Sequence, residues 1–158
     1  TGDDILNGRA FPGRKIVIAG GGSVGCELAD YLAPLVNDHF PRNRDITIIE
    51  MGQEVMLNES GPGRSLLVQR LMKKGVKMIV NAKVEQVTKD QIIYVQNQQS
   101  YTIDDADTLV FACGYQPDSS VEDMLKQANI TYHIIGDAHQ VGNIKDAISE
   151  GYQVAKMI

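Results

Sequence analysis

The sequence predicts an α/β protein of Rossmann-like type: a central, mostly parallel sheet flanked by helices, with an antiparallel three-stranded meander. Three observations carry this. Lys15-Ile16-Val17-Ile18-Ala19 is a β-branched apolar run that passes directly into Gly20-Gly21-Gly22-Ser23-Val24-Gly25, where a helical pattern begins. A second apolar strand, Ile46-Thr47-Ile48-Ile49, ends on an acid, Glu50. Farther along, short alternating segments break an otherwise regular succession of strands and helices.

The elements follow in order. Residues 1–13 are polar and glycine-rich and read as a linker, with one short turn at Asp3-Asp4-Ile5-Leu6 and a breaker at Pro12-Gly13. The first helix carries Val24, Leu28, Tyr31, Leu32 and Leu35 on one face, and Pro34 kinks or ends it. Residues 37–45 form a polar loop longer than the usual connection between helix and strand. Another polar loop, 51–63, precedes a helix over 64–74 with Leu67, Val68, Leu71 and Met72 inward; Gly75 suits its end. Residues 76–80 make a third strand. Segments 83–88, 91–96 and 100–103 form the meander, spanning 83–104 overall. A buried strand returns at 108–112, a turn at Gly114 to Asp118, a short helix at 121–128 and a last strand at 132–135. The tail, 143–158, is a helix with Ile144, Ala147, Ile148, Gly151, Ala155 and Ile158 on one stripe.

Composition narrows the function. At 158 residues, 43% apolar and 22% charged, one ordinary globular domain is the default. A net charge of −5, with Lys and Arg scattered, argues against a nucleic-acid partner. No apolar run approaches the ~18 residues of a membrane span, and no secretory signal pattern is present, so a reduced cytoplasmic protein is expected. The chain starts on Thr rather than Met and is expected to be a piece of something longer. Cys26 and Cys113 form no CxxC or zinc spacing and are expected to be small buried residues beside glycine turns. His39, His133 and His139 lack ligands at helical spacing, which argues against a metal site; His133 is placed at the edge of the core on the last strand.

The glycine turn is the candidate binding site. Gly20 permits the tight turn, Gly22 lets the backbone approach a pyrophosphate, and Gly25 lets the helix pack on the strand. The helix start offers free N–H groups to phosphates. Glu50 accepts ribose hydroxyls and repels a 2′-phosphate, which favours NAD(H) over NADP(H). Glu50 lies 25 residues after Gly25, farther than the usual ~20, and the long loop absorbs the excess. Two alternatives stay open on the residues: a nucleotide module that senses NADH without catalysis, and FAD bound by the same turn.

Gly20-Gly21-Gly22-Ser23-Val24-Gly25-Cys26-Glu27 resembles the GGGxxGxE of the NAD(P)H-binding domain in flavoproteins that hold two dinucleotides. Residues 107–118, with Cys113, Gly114 and Pro117, resemble that family's second glycine turn, though Asp118 stands where its Asn would be. Ile134-Ile135-Gly136-Asp137 resembles its GD motif, whose Asp holds the ribityl chain of FAD. The nearest branch is the NADH:flavin oxidoreductases related to 2,4-dienoyl-CoA reductase, 2-enoate reductase and Old Yellow Enzyme.

The resemblance implies NADH binding and hydride delivery to a flavin in the intact enzyme, with FAD, FMN and an iron–sulfur cluster there, and an isolated domain that turns over nothing. It implies a cofactor-binding set of Gly20, Gly21, Gly22, Ser23, Val24, Gly25, Glu27, Glu50, Met51, Cys113, Gly114 and Asp137, with no catalytic side chain. Glu27 falls near the nicotinamide on this reading, or is simply an exposed acid at a helix start. Residues 14–130 are the NAD(P)H-binding domain, and 131–158 resemble a strand and helix of the FAD domain. Without that domain Asp137 is expected to cap a turn. The tail stripe would dock elsewhere, be poorly ordered or pair two copies through 143–158.

Overall fold

The computed structural model describes residues 1–33, 44–57, 59, 61–118 and 120–158. The expected loop at 37–45 lies outside them up to residue 43, as do Pro34, Leu35 and His39. The chain forms two compact units, Thr1–Cys113 and Gly114–Ile158.

In the first unit, four parallel strands lie in the order β3-β2-β1-β7. They are β1 (Lys15–Ala19), β2 (Asp45–Ile49), β3 (Lys77–Ile79) and β7 (Thr108–Phe111). Strand β1 is central, pairing Ala19 with Ile49 on one side and Phe111 on the other. Both faces of a parallel sheet must be covered, and side chains alternate between them. Ile16, Ile18, Ile46, Ile48 and Val110 pack against Cys26, Leu28, Ala29, Leu32, Leu67 and Leu71 of α2 (Ser23–Leu32) and α3 (Pro62–Lys73). Val17 and Ile49 point to the opposite face and meet Ala82 and Ile92. These belong to the meander of β4 (Ala82–Val87), β5 (Gln91–Gln96) and β6 (Gln99–Asp104), a separate antiparallel sheet. Helices therefore cover one face and the meander the other.

Polar contacts fix the remaining joints. The Asp107 carboxylate accepts the N–H groups of Arg14 (2.8 Å) and Lys15 (3.0 Å) and so anchors the start of β1. Asp30 of α2 takes Arg70 (2.7 Å) and the nearly buried Lys74 (2.9 Å) beside α3. Burial pushes the Asp30 carboxyl up, but its hydrogen bonds to these two cations outweigh that and hold it below its ordinary value.

One expectation is extended here and another is corrected. The opening linker contains helix α1 (Gly2–Leu6), closed by a reciprocal Thr1–Asp4 capping box, and buries Ile5 in the core. The expected turn at Asp3-Asp4-Ile5-Leu6 lies within this helix, and two adjacent apolar residues, Ile5 and Leu6, were too short a run to announce its full extent. The last strand is absent: residues 132–135 carry no ladder, although Ile135 is extended at φ −140° and ψ 162°. β-branched residues favour extended backbone, but a strand also needs a hydrogen-bonding neighbour. His133 is accordingly exposed rather than at a core edge.

The second unit holds α4 (Ser120–Gln127), a 3-10 turn (Gly136–Ala138) and α5 (Ile144–Ala155). Asn143 and Asp146 form a capping box at the start of α5. Glu150 ties α5 to the turn by accepting Gly136 N–H (2.7 Å) and lying 3.2 Å from His139 Nδ1. The tail helix is formed, and its Ile144 and Ile148 are exposed at 81% and 68%.

Candidate functional site

The sheet brings the turn and the acid together. Strands β1 and β2 end in register, so the next residues, Gly20 and Glu50, emerge side by side. Gly20 N–H donates to Ile49 O (2.9 Å) and Glu50 N–H to Ile79 O (2.8 Å). Gly20 has φ +107°, in the left-handed region, and a Cβ there would meet Ala112 O at 2.2 Å. A Cβ on Gly25 would stand 2.0 Å from Gly20 O. Both glycines serve the fold. Gly22 differs: nothing lies within 4 Å of where its Cβ would be, and its φ of −72° suits any residue. Its bareness leaves open space rather than relieving a clash.

Gly22 is also the N-cap of α2 and supplies no capping side chain. The first intrahelical bond runs from Cys26 N–H to Gly22 O (3.0 Å), so the N–H groups of Ser23, Val24 and Gly25 have no acceptor within the helix. This donor set and the helix dipole suit an anion. Across the turn, Glu50 Oε2 accepts Gly21 N–H (2.5 Å) and Oε1 accepts Gly52 N–H (2.6 Å). A cleft of ≈ 380 Å³ opens here, lined by Gly21, Gly22, Ser23 and Glu50 together with Gly52, Glu54, Met56, Leu57 and Glu59.

Four of the expected residues therefore share this cleft, and Gly20 and Gly25 shape it from behind. Val24 faces α1, its Cγ1 3.4 Å from where a Cβ on Gly2 would be. Glu27 and Met51 are exposed and do not line the cleft. Gly114, at φ +88°, belongs to the second unit. So does Asp137, whose Oδ1 accepts Gly142 N–H (3.2 Å), as a turn-capping acid would.

The two thiols are free and differ in setting. Cys26 is buried and donates to Gly21 O (3.4 Å). Burial first, then the nearby Glu50 and Glu27 carboxylates, push its thiol up to about 11. Cys113 was expected to be buried but is exposed, donating to Ala19 O (3.1 Å). It lies beyond Phe111, the last residue of β7, and beyond the final ladder bond from Ala112 N–H to Ala19 O (2.8 Å). Among the described residues no cluster of His, Cys, Asp and Glu could hold a metal ion, and no helix is long and apolar enough to cross a membrane.

Sequence reading missed the far wall, which comes from the loop after Glu50. Met56 N–H donates to Gly21 O (2.7 Å), and Arg64 donates to Val55 O (3.1 Å) and pairs with Glu54. The loop is thus fastened both to the glycine turn and to α3. Its polar composition carried no periodic signal. The run of acids at Glu50, Glu54 and Glu59 was the available clue.

A parallel sheet with a glycine turn, an acid at the neighbouring strand end and a meander on the opposite face is the fold of FAD/NAD-binding oxidoreductases. Residues 2–144 match the family model for pyridine nucleotide-disulphide oxidoreductases, and the chain belongs to that family. It is 30% identical over 158 residues to the NADH oxidase of Thermoanaerobacter brockii, covering 98% of this chain and 23% of that protein. It is 28% identical over 162 residues to the cinnamate reductase of Clostridium sporogenes, covering 100% and 23%. A solved 2-naphthoyl-CoA reductase complex superposes with TM-score 0.77 at 22% identity, covering 99% of this chain and 23% of that one. The chain thus spans about 23% of the length of these curated relatives.

Proposed function

We propose that this chain is the NADH-binding domain of a flavin-dependent oxidoreductase and presents the nicotinamide for hydride transfer to a flavin carried by the same polypeptide. The observation that carries this reading is Gly22: a bare helix N-cap facing open space, with the Glu50 carboxylate across the cleft. The N–H groups of Ser23, Val24 and Gly25 would take the pyrophosphate, and Glu50 the adenosine ribose. The cofactors supply the hydride chemistry; the chain binds, orients and shields. No side chain in the cleft needs to act as an acid or base.

Glu50 spends both carboxylate oxygens on backbone N–H groups, yet each oxygen has a second lone pair for a ribose hydroxyl. Its charge disfavours a 2′-phosphate, and NADH is preferred over NADPH. Asp137 lines a second cleft of ≈ 550 Å³ at the start of α5, with Gly142, Asn143 and Lys145, which supports its family role toward FAD in the longer polypeptide. The likeness to a cinnamate reductase supports the enoate reductase branch, with FMN and an iron–sulfur cluster elsewhere in the polypeptide.

Titration by fluorescence or calorimetry tests the reading. NADH should bind at least tenfold more tightly than NADPH, and equal affinities would remove the role given to Glu50. A yellow chromophore co-purifying with the chain, and lost in Gly22→Ala, would instead assign the turn to FAD.

A further inference from the structure

We infer that Glu59 is an internal competitor for the phosphate end of the cleft, and so determines how tightly a phosphate-bearing ligand is held there. The inference rests on the dinucleotide reading above and adds a residue to it. Ser23 is the first residue of α2, and its hydroxyl donates to Glu59 Oε1 at 2.6 Å. Both residues line the cleft beside Gly21 and Gly22. The uncapped helix start attracts negative charge, and the chain brings a carboxylate there from a loop 36 residues downstream.

Among the described residues, the lining of this cleft contains Glu50, Glu54 and Glu59 and no Lys, Arg or His. The first two already have partners: Glu50 holds Gly21 and Gly52, and Glu54 pairs with Arg64. Glu59 instead occupies a hydroxyl donor that a phosphate oxygen would itself use. A pyrophosphate entering over Gly22 must displace that carboxylate or share the helix start with a like charge. Either way the protein's own anion opposes the ligand's. The opposition acts on phosphate-bearing ligands and leaves an uncharged nucleoside unaffected.

The test compares NADH and adenosine binding to the wild-type chain and to Glu59→Gln, with Glu59→Ala as a second variant and thermal melts confirming that both fold. Glu59→Gln keeps an oxygen that can accept from Ser23 but removes the charge. NADH should bind about tenfold more tightly to both variants, with adenosine within about twofold of wild type. Raising NaCl from about 20 to about 200 mM, which shortens the screening length severalfold, should tighten NADH on wild type more than on Glu59→Gln. NADH affinity unchanged by both substitutions, or adenosine tightening as much as NADH, would overturn the inference and leave the dinucleotide reading standing. No NADH binding to wild type or either variant would overturn both.

Discussion

Gly22 and Gly25 sit three residues apart in one motif, yet alanine at each should fail differently. At Gly25 the new methyl would stand 2.0 Å from Gly20 O and 3.4 Å from Ala112 Cβ. The obstacle is backbone, so no rotamer change relieves it. Overpacking costs roughly 1–3 kcal/mol, and a backbone collision belongs near the top, about 3 kcal/mol. For a chain of this size that lowers Tm by roughly 6–12 °C. At Gly22 the methyl meets nothing within 4 Å. Alanine is a poorer N-cap than glycine, a cost of about 1 kcal/mol or less, so Tm should move by no more than about 4 °C. Its effect should fall on ligand. A methyl where the pyrophosphate nears the backbone forfeits one charge-assisted hydrogen bond, roughly 1.5–3 kcal/mol, or about ten- to a hundredfold in Kd. Calorimetry gives both numbers for both variants. Gly22→Ala with wild-type NADH affinity would refute the claim that the open space belongs to phosphate. Gly25→Ala with wild-type Tm would refute the packing argument.

Other outcomes follow from the same geometry. Glu50→Ala should bring NADH and NADPH affinities to within about threefold and lower stability by about 2 kcal/mol, because two backbone N–H groups lose a charged acceptor; urea melts and titrations read both. Asp30→Ala should cost about 2 kcal/mol in urea, since it leaves the nearly buried Lys74 ammonium without its carboxylate. The Asp30 carboxyl is held below its unfolded value, so its contribution is present above about pH 4 and lost as pH falls through the lower folded value. Acid titration of wild type against Asp30→Asn shows whether that dependence disappears. Iodoacetamide at pH 8 should label the exposed Cys113 and spare the buried Cys26 until the protein unfolds, with mass spectrometry as the readout. The Cys26 thiol is raised to about 11 in the fold, so its contribution to stability declines between about pH 9 and pH 11, and Cys26→Ser should flatten that alkaline limb.

The centre of the parallel sheet and its site were legible because β1 and β2 each bury an almost wholly apolar run and lead directly into a distinctive residue. Ile16 and Ile18 on one face and Val17 on the other are both buried, so no polar alternation blurs the strand. Gly20 and Glu50 follow directly from strand ends that the ladder holds in register. The meander was legible from its turns: Asn97 and Gln98, between β5 and β6, both take positive φ. What stayed hidden depends on contacts distant in sequence. The full extent of helix α1, beyond the turn expected at 3–6, goes with the burial of Ile5, and Cys113, two residues past the end of β7, is exposed. The residues at 132–135 have strand composition, but composition does not supply a neighbouring strand. The cleft's far wall is held by Met56 N–H on Gly21 O and by Arg64 on Val55 O, pairings that no local pattern encodes.

Glu50 fastens the glycine turn to the loop beyond β2 through its two oxygens. The side chain that would discriminate between dinucleotides is therefore also a rivet of the scaffold. On the proposed reading, exchanging the acid for a small or basic residue to favour NADPH would also unfasten the glycine turn from the loop beyond β2. The switch becomes a two-step path through a weakened intermediate. It opens only after another group, such as a loop side chain near Gly52, has first taken over the Gly21 N–H.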